Sequence, residues 1–285
     1  MRILKIGEKK FDLNKKTLIM GILNVTPDSF SDGGKFYSIE KAVQQAIKME
    51  KQGADIIDIG GESTRPGAKK ITIEEEIKRI LPVIKQLKNK IEIPISIDTY
   101  KSEVAKKTIE YGANMINDIT ALRGDKKLAE IISDYDLPVS LMHMKGTPEN
   151  MQKNPEYANV IKEIKEFLQH RAEYAITKGI KKENIIIDPG IGFGKRTGKG
   201  IEDNIEIIKK LEKIKKLGYP VLIGASRKTF IGNIGNNKES LKINERLEGS
   251  LAAACVAVIN GADILRVHDV LQTKKCIKIV DYTKK

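Results

Sequence analysis

Asp98, Asn117 and Asp188 stand far apart in the chain, yet each follows directly on a short aliphatic run. Two carboxylates and an amide brought into one cavity suit a flat, donor-rich heterocycle. A carboxylate accepts two parallel N–H bonds, and an amide both donates and accepts. As a metal site the trio is weaker, because the carboxylates come from well-separated runs with Asn117 between them. A second set is cationic: Arg65, Lys228 and Arg266, with His268 two residues beyond Arg266 and so on the same face of an extended strand. Only nine of the 51 basic residues are arginine, and Arg65, Arg227 and Arg266 fall where apolar runs end. A planar guanidinium binds phosphate or carboxylate bidentately, which lysine cannot do. Together the sets point to one molecule with a polar heterocyclic edge and an anionic tail, such as a diphosphate. Asn24 offers a neutral oxygen to a Mg²⁺ held mainly by phosphates.

Other chemistries find less support. The glycines of Gly190-Ile-Gly192-Phe-Gly194-Lys195 fit neither the dinucleotide fingerprint nor the Walker spacing, and read as close backbone approach at a rim. Ser226 has no His–Asp partner suggested by spacing, and Cys255 lies in a small-residue helix that reads as packed core, so no covalent nucleophile is indicated. His170 falls on a helix and is ordinary, whereas His143 follows the fifth apolar run and backs the site.

The elements that must position these groups repeat along the whole chain. Nearly continuous Ile/Val/Leu runs at Leu18–Leu23, Asp55–Ile59, Ile95–Ile97, Met115–Ile116, Val139–Leu141, Ile185–Ile187, Val221–Ile223 and Ile264–Val267 read as buried parallel strands. Amphipathic stretches lie between them, among them Ile39–Gln52, Ser102–Tyr111 and Ile205–Leu217, each followed by glycine. Gly53-Ala-Asp55, Gly112-Ala-Asn114 and Gly261-Ala-Asp263 repeat one helix-to-strand turn. Eight strand–helix units in this length predict an α/β fold, a (β/α)₈ TIM barrel, with residues 2–16 as a short N-terminal β-hairpin and residues 1–285 as one domain. A doubly wound open sheet is the alternative, but the first strand runs into Asn24-Val-Thr-Pro-Asp-Ser-Phe30 instead of a glycine-rich dinucleotide turn. All eight strand ends carry polar groups. One alone would pass as a helix cap or a satisfied buried residue; eight together argue for a site.

With 40% hydrophobic and 31% charged residues the chain can bury a core. The net charge of +13 is mostly lysine spread over helical segments, and without tryptophan there is no base-stacking platform. No nucleic-acid partner is expected. The longest apolar run, Leu251–Ile259, is too short to span a bilayer, so no membrane association is expected. Neither a secretory signal nor a cysteine framework is seen, and a cytoplasmic protein is expected.

Longer stretches resemble a known family. Gly21-Ile-Leu-Asn-Val-Thr-Pro-Asp-Ser-Phe-Ser-Asp-Gly-Gly34 and Gly60-Gly-Glu-Ser-Thr-Arg-Pro-Gly67 look like the two signatures of dihydropteroate synthases. Asp98-Thr99, Ile116-Asn-Asp118, Leu141-Met-His-Met144, Asp188-Pro-Gly190, Ser226-Arg-Lys228 and Arg266-Val-His-Asp269 follow in the family's order. The resemblance spans about Thr17 to Leu271. It implies a transferase of folate biosynthesis that condenses 6-hydroxymethyl-7,8-dihydropterin diphosphate with p-aminobenzoate, with Mg²⁺ as cofactor and a homodimer as assembly. It further implies that Asp98, Asn117, Asp188 and Lys228 hold the pterin, with Met142 lining its slot and Lys228, Asp98 and Asp188 catalytic. Thr64, Arg266 and His268 would serve the diphosphate, and Asn24 the metal. Phe30, Arg65, Pro66, Phe193 and Thr229 would surround p-aminobenzoate, whose carboxylate would lie near the start of the helix after strand seven. The loops Thr26–Gly34 and Glu62–Gly67 would close over the site and exclude water.

Two departures stand out. Arg196–Asp203 is about four residues longer than the family pattern, in a loop that tolerates insertion, and Lys145 stands where Gln is common. They leave open whether the amine is p-aminobenzoate or a bulkier relative. Three rivals also remain: a pterin-binding methyltransferase barrel, which needs neither Arg266-His268 nor the Asn24 loop; a basic nucleic-acid-binding module; and a barrel that has lost catalysis.

Overall fold

Strand β1 (Ile3–Ile6) and strand β2 (Lys9–Asp12) form an antiparallel hairpin that turns at Gly7. The computed structural model describes residues 2–26, 35–64, 67–196, 202–235 and 239–283. Leu4, Ile6, Phe11 and Leu13 of the hairpin pack against Leu18, Met20, Ile56, Met115, Ile186, Leu222 and Ile264. Those seven come from six strands of the main sheet, so the hairpin plugs one end of it.

That sheet has eight parallel strands: β3 (Leu18–Asn24), β4 (Ile56–Gly60), β5 (Ile95–Asp98), β6 (Met115–Asp118), β7 (Val139–Met142), β8 (Ile185–Asp188), β9 (Leu222–Ile223) and β10 (Ile264–Val267). Neighbours in sequence are neighbours in space, and β10 returns to pair with β3. An Ile187–Val221 bridge joins β8 to the residue before β9 and closes the (β/α)₈ barrel. Helices α1 (Lys35–Lys51), α2 (Ile73–Leu87), α3 (Ser102–Glu110), α4 (Leu128–Asp134), α5 (Val160–Thr177), α6 (Glu202–Lys209), α7 (Leu211–Lys215), α8 (Thr229–Gly235), α9 (Leu247–Ile259) and α10 (Val270–Thr283) connect them. The larger core lies between barrel and helices and includes Ile57, Ile97, Leu141 and Ile187 from strands and Val43, Ile84, Ile164 and Ile277 from helices. No described helix is long and apolar enough to cross a membrane.

The repeated Gly-Ala-Asp/Asn turn has a structural reason at each residue. Gly53, Gly112 and Gly261 hold φ of +94°, +112° and +113°, a region that side chains rarely enter. The third residue then accepts a backbone N–H from a neighbouring strand. Asp55 takes Ile19 at 2.9 Å, Asn114 takes Ile95 at 3.0 Å, and Asp263 takes Val221 at 2.8 Å. Each turn thereby fixes the register of the strand beside it.

Two sequence readings change. The segment read as one helix over Ile205–Leu217 breaks between α6 and α7, where Lys210 leaves helical geometry. The Asn260 side chain donates to the carbonyls of Ile208 at 2.9 Å and Lys209 at 3.3 Å, taking over acceptors that the break releases. Cys255, read as packed core, packs against the core but is only half-buried, and its neighbours Val256 and Ile259 on α9 face solvent.

Candidate active site

With the hairpin filling one end, the open end is where the strands' C-termini gather. Register aligns them there: Asn24 pairs with Gly60, Gly60 with Asp98, and Asp98 with Asn117. Residues aligned across parallel strands face the same side, so Asn24, Asp98 and Asn117 share one inward row. The Asn24 Oδ1 and Asp98 Oδ2 atoms approach Gly60 from either side. Asp58, two residues before Gly60, belongs to the next row down, opposite Ser96.

Asp58 joins the set from below. It is fully buried, and its Oδ2 accepts from Asn117 Nδ2 at 3.0 Å and from Arg266 Nε at 2.6 Å. Arg266 Nη2 donates to Asp98 Oδ2 at 2.7 Å. These bonds use two of the five guanidinium N–H donors. Burial pushes Asp98 up to about 7, against the pull of Arg266 and with the help of Asp58. Burial would lower Arg266, but the Asp58 and Asp98 charges hold it above the ordinary arginine value. Asp98, Asn117 and Arg266 are thus one hydrogen-bonded unit. The spacing argument placed Arg266 in an anion pocket with His268; the structure turns its guanidinium to two carboxylates as well.

The other side of the mouth is built on Asp188 and Lys228. Asp188 Oδ1 accepts from Gly190 N at 2.6 Å; burial raises its pKa, opposed by that bond and by the Lys228 and Lys195 charges. Lys228 Nζ donates to the Ile191 carbonyl and lies 4.3 Å from the Phe193 ring centre. Burial brings Lys228 down to about 7, with Asp188 opposing. Met142 packs with Ile119, Met144 and Met151, against which Phe193 and Tyr100 lean, giving this side an apolar wall.

Between the anion candidates the backbone is strained. Arg227 has φ +57°, outside glycine's company, and separates Ser226 from Lys228. Its side chain is anchored by Asp269, its N–H donates to Ser250 Oγ at 2.9 Å, and its carbonyl accepts from Arg246 at 3.1 Å. Arg227 is therefore tied outward while Ser226 and Lys228 face the site. Ser226, given no partner by spacing, meets His268: its Oγ lies 3.0 Å from His268 Nδ1 and accepts the His268 backbone N–H at 3.2 Å. The Ser226 hydroxyl and the imidazole thus hydrogen-bond each other at this strand end, in the direction that the imidazole tautomer sets. Asp269 bonds Arg227 through both oxygens at this strand end, so the Ser–His pair is not a nucleophile triad.

Thr64 is half-buried beyond the end of β4, and Thr229 opens α8 beside Lys228. Phe30, Arg65 and Pro66 lie outside the described residues, as do most of the loop Thr26–Gly34, part of the loop Glu62–Gly67 and residues 197–201 of the longer segment. Glu62, at the base of the second loop, is clamped by Lys101 Nζ at 2.5 Å and by the Tyr100 hydroxyl at 3.0 Å. His143 is buried behind the site, where burial and the Lys195 charge push it down to about 2 and keep it neutral.

Sequence reasoning counted Asp58 and Ser226 among the polar groups at the strand ends without giving them a role, and it left Lys195 out of the site. Asp58 carried a signal, a charge inside the apolar stretch Ile56–Ile59 on the face of Gly60. The Ser226–His268 contact and the burial of Lys195 carried none, since only the tertiary fold brings them about. No cluster of three His, Cys, Asp or Glu suited to a metal occurs among the described residues.

Three comparisons bear on what such a site does. Residues 20–268 match the family described as pterin binding enzyme. A dihydropteroate synthase of Clostridium beijerinckii is 48% identical over 279 residues, covering 98% of each chain. Among solved structures, the Yersinia pestis dihydropteroate synthase in a sulfonamide drug complex superposes with a TM-score of 0.91 at 40% identity, covering 99% of both chains. The Xanthomonas albilineans dihydropteroate synthase with 4-aminobenzoic acid gives 0.90 at 40% identity, covering 99% of this chain and 98% of that one.

Proposed function

The chain belongs to the dihydropteroate synthases of the pterin-binding enzyme family, and we propose how its own residues divide that reaction among them. The reaction joins 6-hydroxymethyl-7,8-dihydropterin diphosphate to p-aminobenzoate, giving 7,8-dihydropteroate and diphosphate. The observation that carries the division is the contact between Arg266 and Asp98. A carboxylate suited to a ring N–H and a guanidinium suited to phosphate touch each other, which matches a substrate whose ring and diphosphate are one methylene apart.

In this reading Asp98, Asn117, Asp188 and Lys228 hold the pterin, and Met142 lines its slot. As the C–O bond between methylene and diphosphate breaks, the electron pair leaves with the diphosphate. Arg266 and His268 meet that growing negative charge, and Thr64 adds a hydroxyl at the same end. Positive character left on the pterin methylene is offset by the carboxylates of Asp98 and Asp188. The neutral arylamine then forms the C–N bond with its lone pair and sheds a proton to solvent, so no strong base is needed. Phe193 and Thr229, with Phe30, Arg65 and Pro66, complete the amine site.

Asn24 is the residue that would hold Mg²⁺. One neutral amide oxygen beside Asp98 fits a hard cation whose remaining ligands are diphosphate and water. When bound, the ion neutralises leaving-group charge.

The homodimer belongs to the same reading. Val256 and Ile259 on α9 and Ile279 and Tyr282 on α10 are large, exposed and on adjacent helices, which supports a covered face. A cytoplasmic setting belongs to the same reading, supported by a sequence whose two cysteines make no disulfide framework.

The test is an assay with both substrates and Mg²⁺ that follows diphosphate and dihydropteroate together. Equal formation of both is expected. Diphosphate without dihydropteroate would assign a different amine, and neither product from folded protein would overturn the reading.

A further inference from the structure

Lys195 is fully buried, and among the described residues it forms no ion pair. Its Nζ meets three neutral partners: the Gly190 carbonyl at 2.9 Å, the Phe193 carbonyl at 2.9 Å and His143 Nδ1 at 3.0 Å. A lysine sealed in this way is costly to fold, since burial disfavours its charge more than the nearby Asp188 and Asp203 carboxylates favour it, and neither bonds its ammonium. An apolar side chain would serve packing better, so the cost points to another use.

The geometry shows one. Lys195 draws the Gly190 and Phe193 carbonyls onto a single atom and so folds residues 190–194 into a tight ring. The carbonyl between them, that of Ile191, faces the other way and accepts from Lys228. The remaining two are also taken, Gly192 by Gln152 at 2.7 Å and Gly194 by the Tyr157 hydroxyl at 2.6 Å. Asn204 Oδ1 in addition accepts the Gly192 N–H at 2.7 Å. Every carbonyl from Gly190 to Gly194 therefore has a side-chain donor, and Lys195 supplies two of the five. Burial brings Lys195 down to about 7, but an amine still has two N–H groups for the two carbonyls, so the ring holds in either protonation state.

We propose that Lys195 is a positioning residue for the transferase reaction: from behind the wall it fixes the 190–194 ring so that the Ile191 carbonyl and the Phe193 ring hold Lys228 at the pterin site. The proposal rests on the role given to Lys228 above. Lys195 itself touches no substrate. Without it the Phe193 carbonyl loses its side-chain donor and the Gly190 carbonyl keeps only the Phe193 N–H at 3.0 Å, the ring relaxes, and both the acceptor and the aromatic cover of Lys228 move.

A double-mutant cycle of Lys195→Met with Lys228→Gln tests this in the full-length protein, with folding checked by circular dichroism and thermal melting. If Lys195 acts through Lys228, Lys195→Met lowers kcat about tenfold or more in the native background and less than about twofold in the Lys228→Gln background. KM for p-aminobenzoate, which the Phe193 ring also faces, should rise in step. An equal factor in both backgrounds, or no loss in the native one, overturns the proposal while leaving the site reading intact. If Lys228→Gln alone costs nothing, the site reading fails instead. Lys195→Leu, which also removes the donor, replaces Lys195→Met if the latter does not fold. Failure of both to fold assigns Lys195 to the fold and also overturns the proposal.

Discussion

Arg266 Nη2 and Asp98 Oδ2 lie 2.7 Å apart across the barrel mouth, although 168 residues separate them in the chain. The same guanidinium reaches Asp58 at 2.6 Å, and Asp58 in turn holds Asn117. The positive charge offered to a leaving group and the acceptors offered to a ring are therefore assembled before any substrate arrives, which is how an active site avoids reorganising during reaction.

Asp58 is the joint of that assembly. Asp58→Asn removes one of the two carboxylates that face Arg266 in a buried setting. We expect a stability loss on the order of 3 kcal/mol in urea unfolding, because breaking one side of a buried charge network leaves the other uncompensated. kcat/KM should fall at least tenfold as Arg266 and Asn117 lose alignment. Unchanged kinetics in a destabilised protein would reduce Asp58 to a structural role.

Gly190 is predicted to tolerate no side chain. Its φ is +70°, and a Cβ there would come within 1.9 Å of the His143 carbonyl oxygen, a backbone atom that cannot step aside. Gly190→Ala should lower the melting midpoint by several degrees, a loss of a few kcal/mol. A melting curve matching the native protein would show the 190–194 ring to be more pliable than its contacts imply.

Lys195 gives a pH prediction for stability. Its native pKa of about 7 lies below the unfolded value, so above pH 7 the unfolded chain binds a proton that the native state has lost. Stability then rises with pH until the unfolded lysine also deprotonates. Lys228 titrates in the same range, so the comparison is made in the Lys228→Gln background, where it contributes nothing. Between pH 7.5 and 9.5 Lys228→Gln should gain on the Lys195→Met, Lys228→Gln double variant by on the order of 1 kcal/mol per pH unit. Parallel urea midpoints across that range would refute a depressed Lys195.

Chelation should abolish diphosphate release, and added Mg²⁺ should restore it. Because Asn24 gives only one neutral ligand, Asn24→Ala should raise the Mg²⁺ needed for half-maximal rate by about tenfold without abolishing activity. Turnover indifferent to chelation would remove the ion from the reaction.

Val256→Lys with Ile259→Lys should shift the protein from dimer to monomer in sedimentation velocity, since both side chains are exposed on α9 and a buried unpaired lysine is expensive. A native protein that already sediments as a monomer would end the dimer reading.

The sequence by itself determined the barrel and the cast of the site. Runs of Ile, Val and Leu at regular intervals, separated by amphipathic stretches and Gly-Ala-Asp turns, allow little other than eight parallel strands with outer helices, because each run must be buried on both faces. Strand ends then carry Asp98, Asn117, Asp188 and Arg266 to one mouth, and the pattern alone places them there. What it could not supply was partnership. Asp58 binds Arg266 from two strands away, past β3, Ser226 meets His268 only where β9 lies against β10, and Lys195 was one lysine among many until the fold sealed it. Hydrophobic periodicity is local and survives in the linear chain. A hydrogen bond between residues far apart exists only once register and closure bring the strands around to meet.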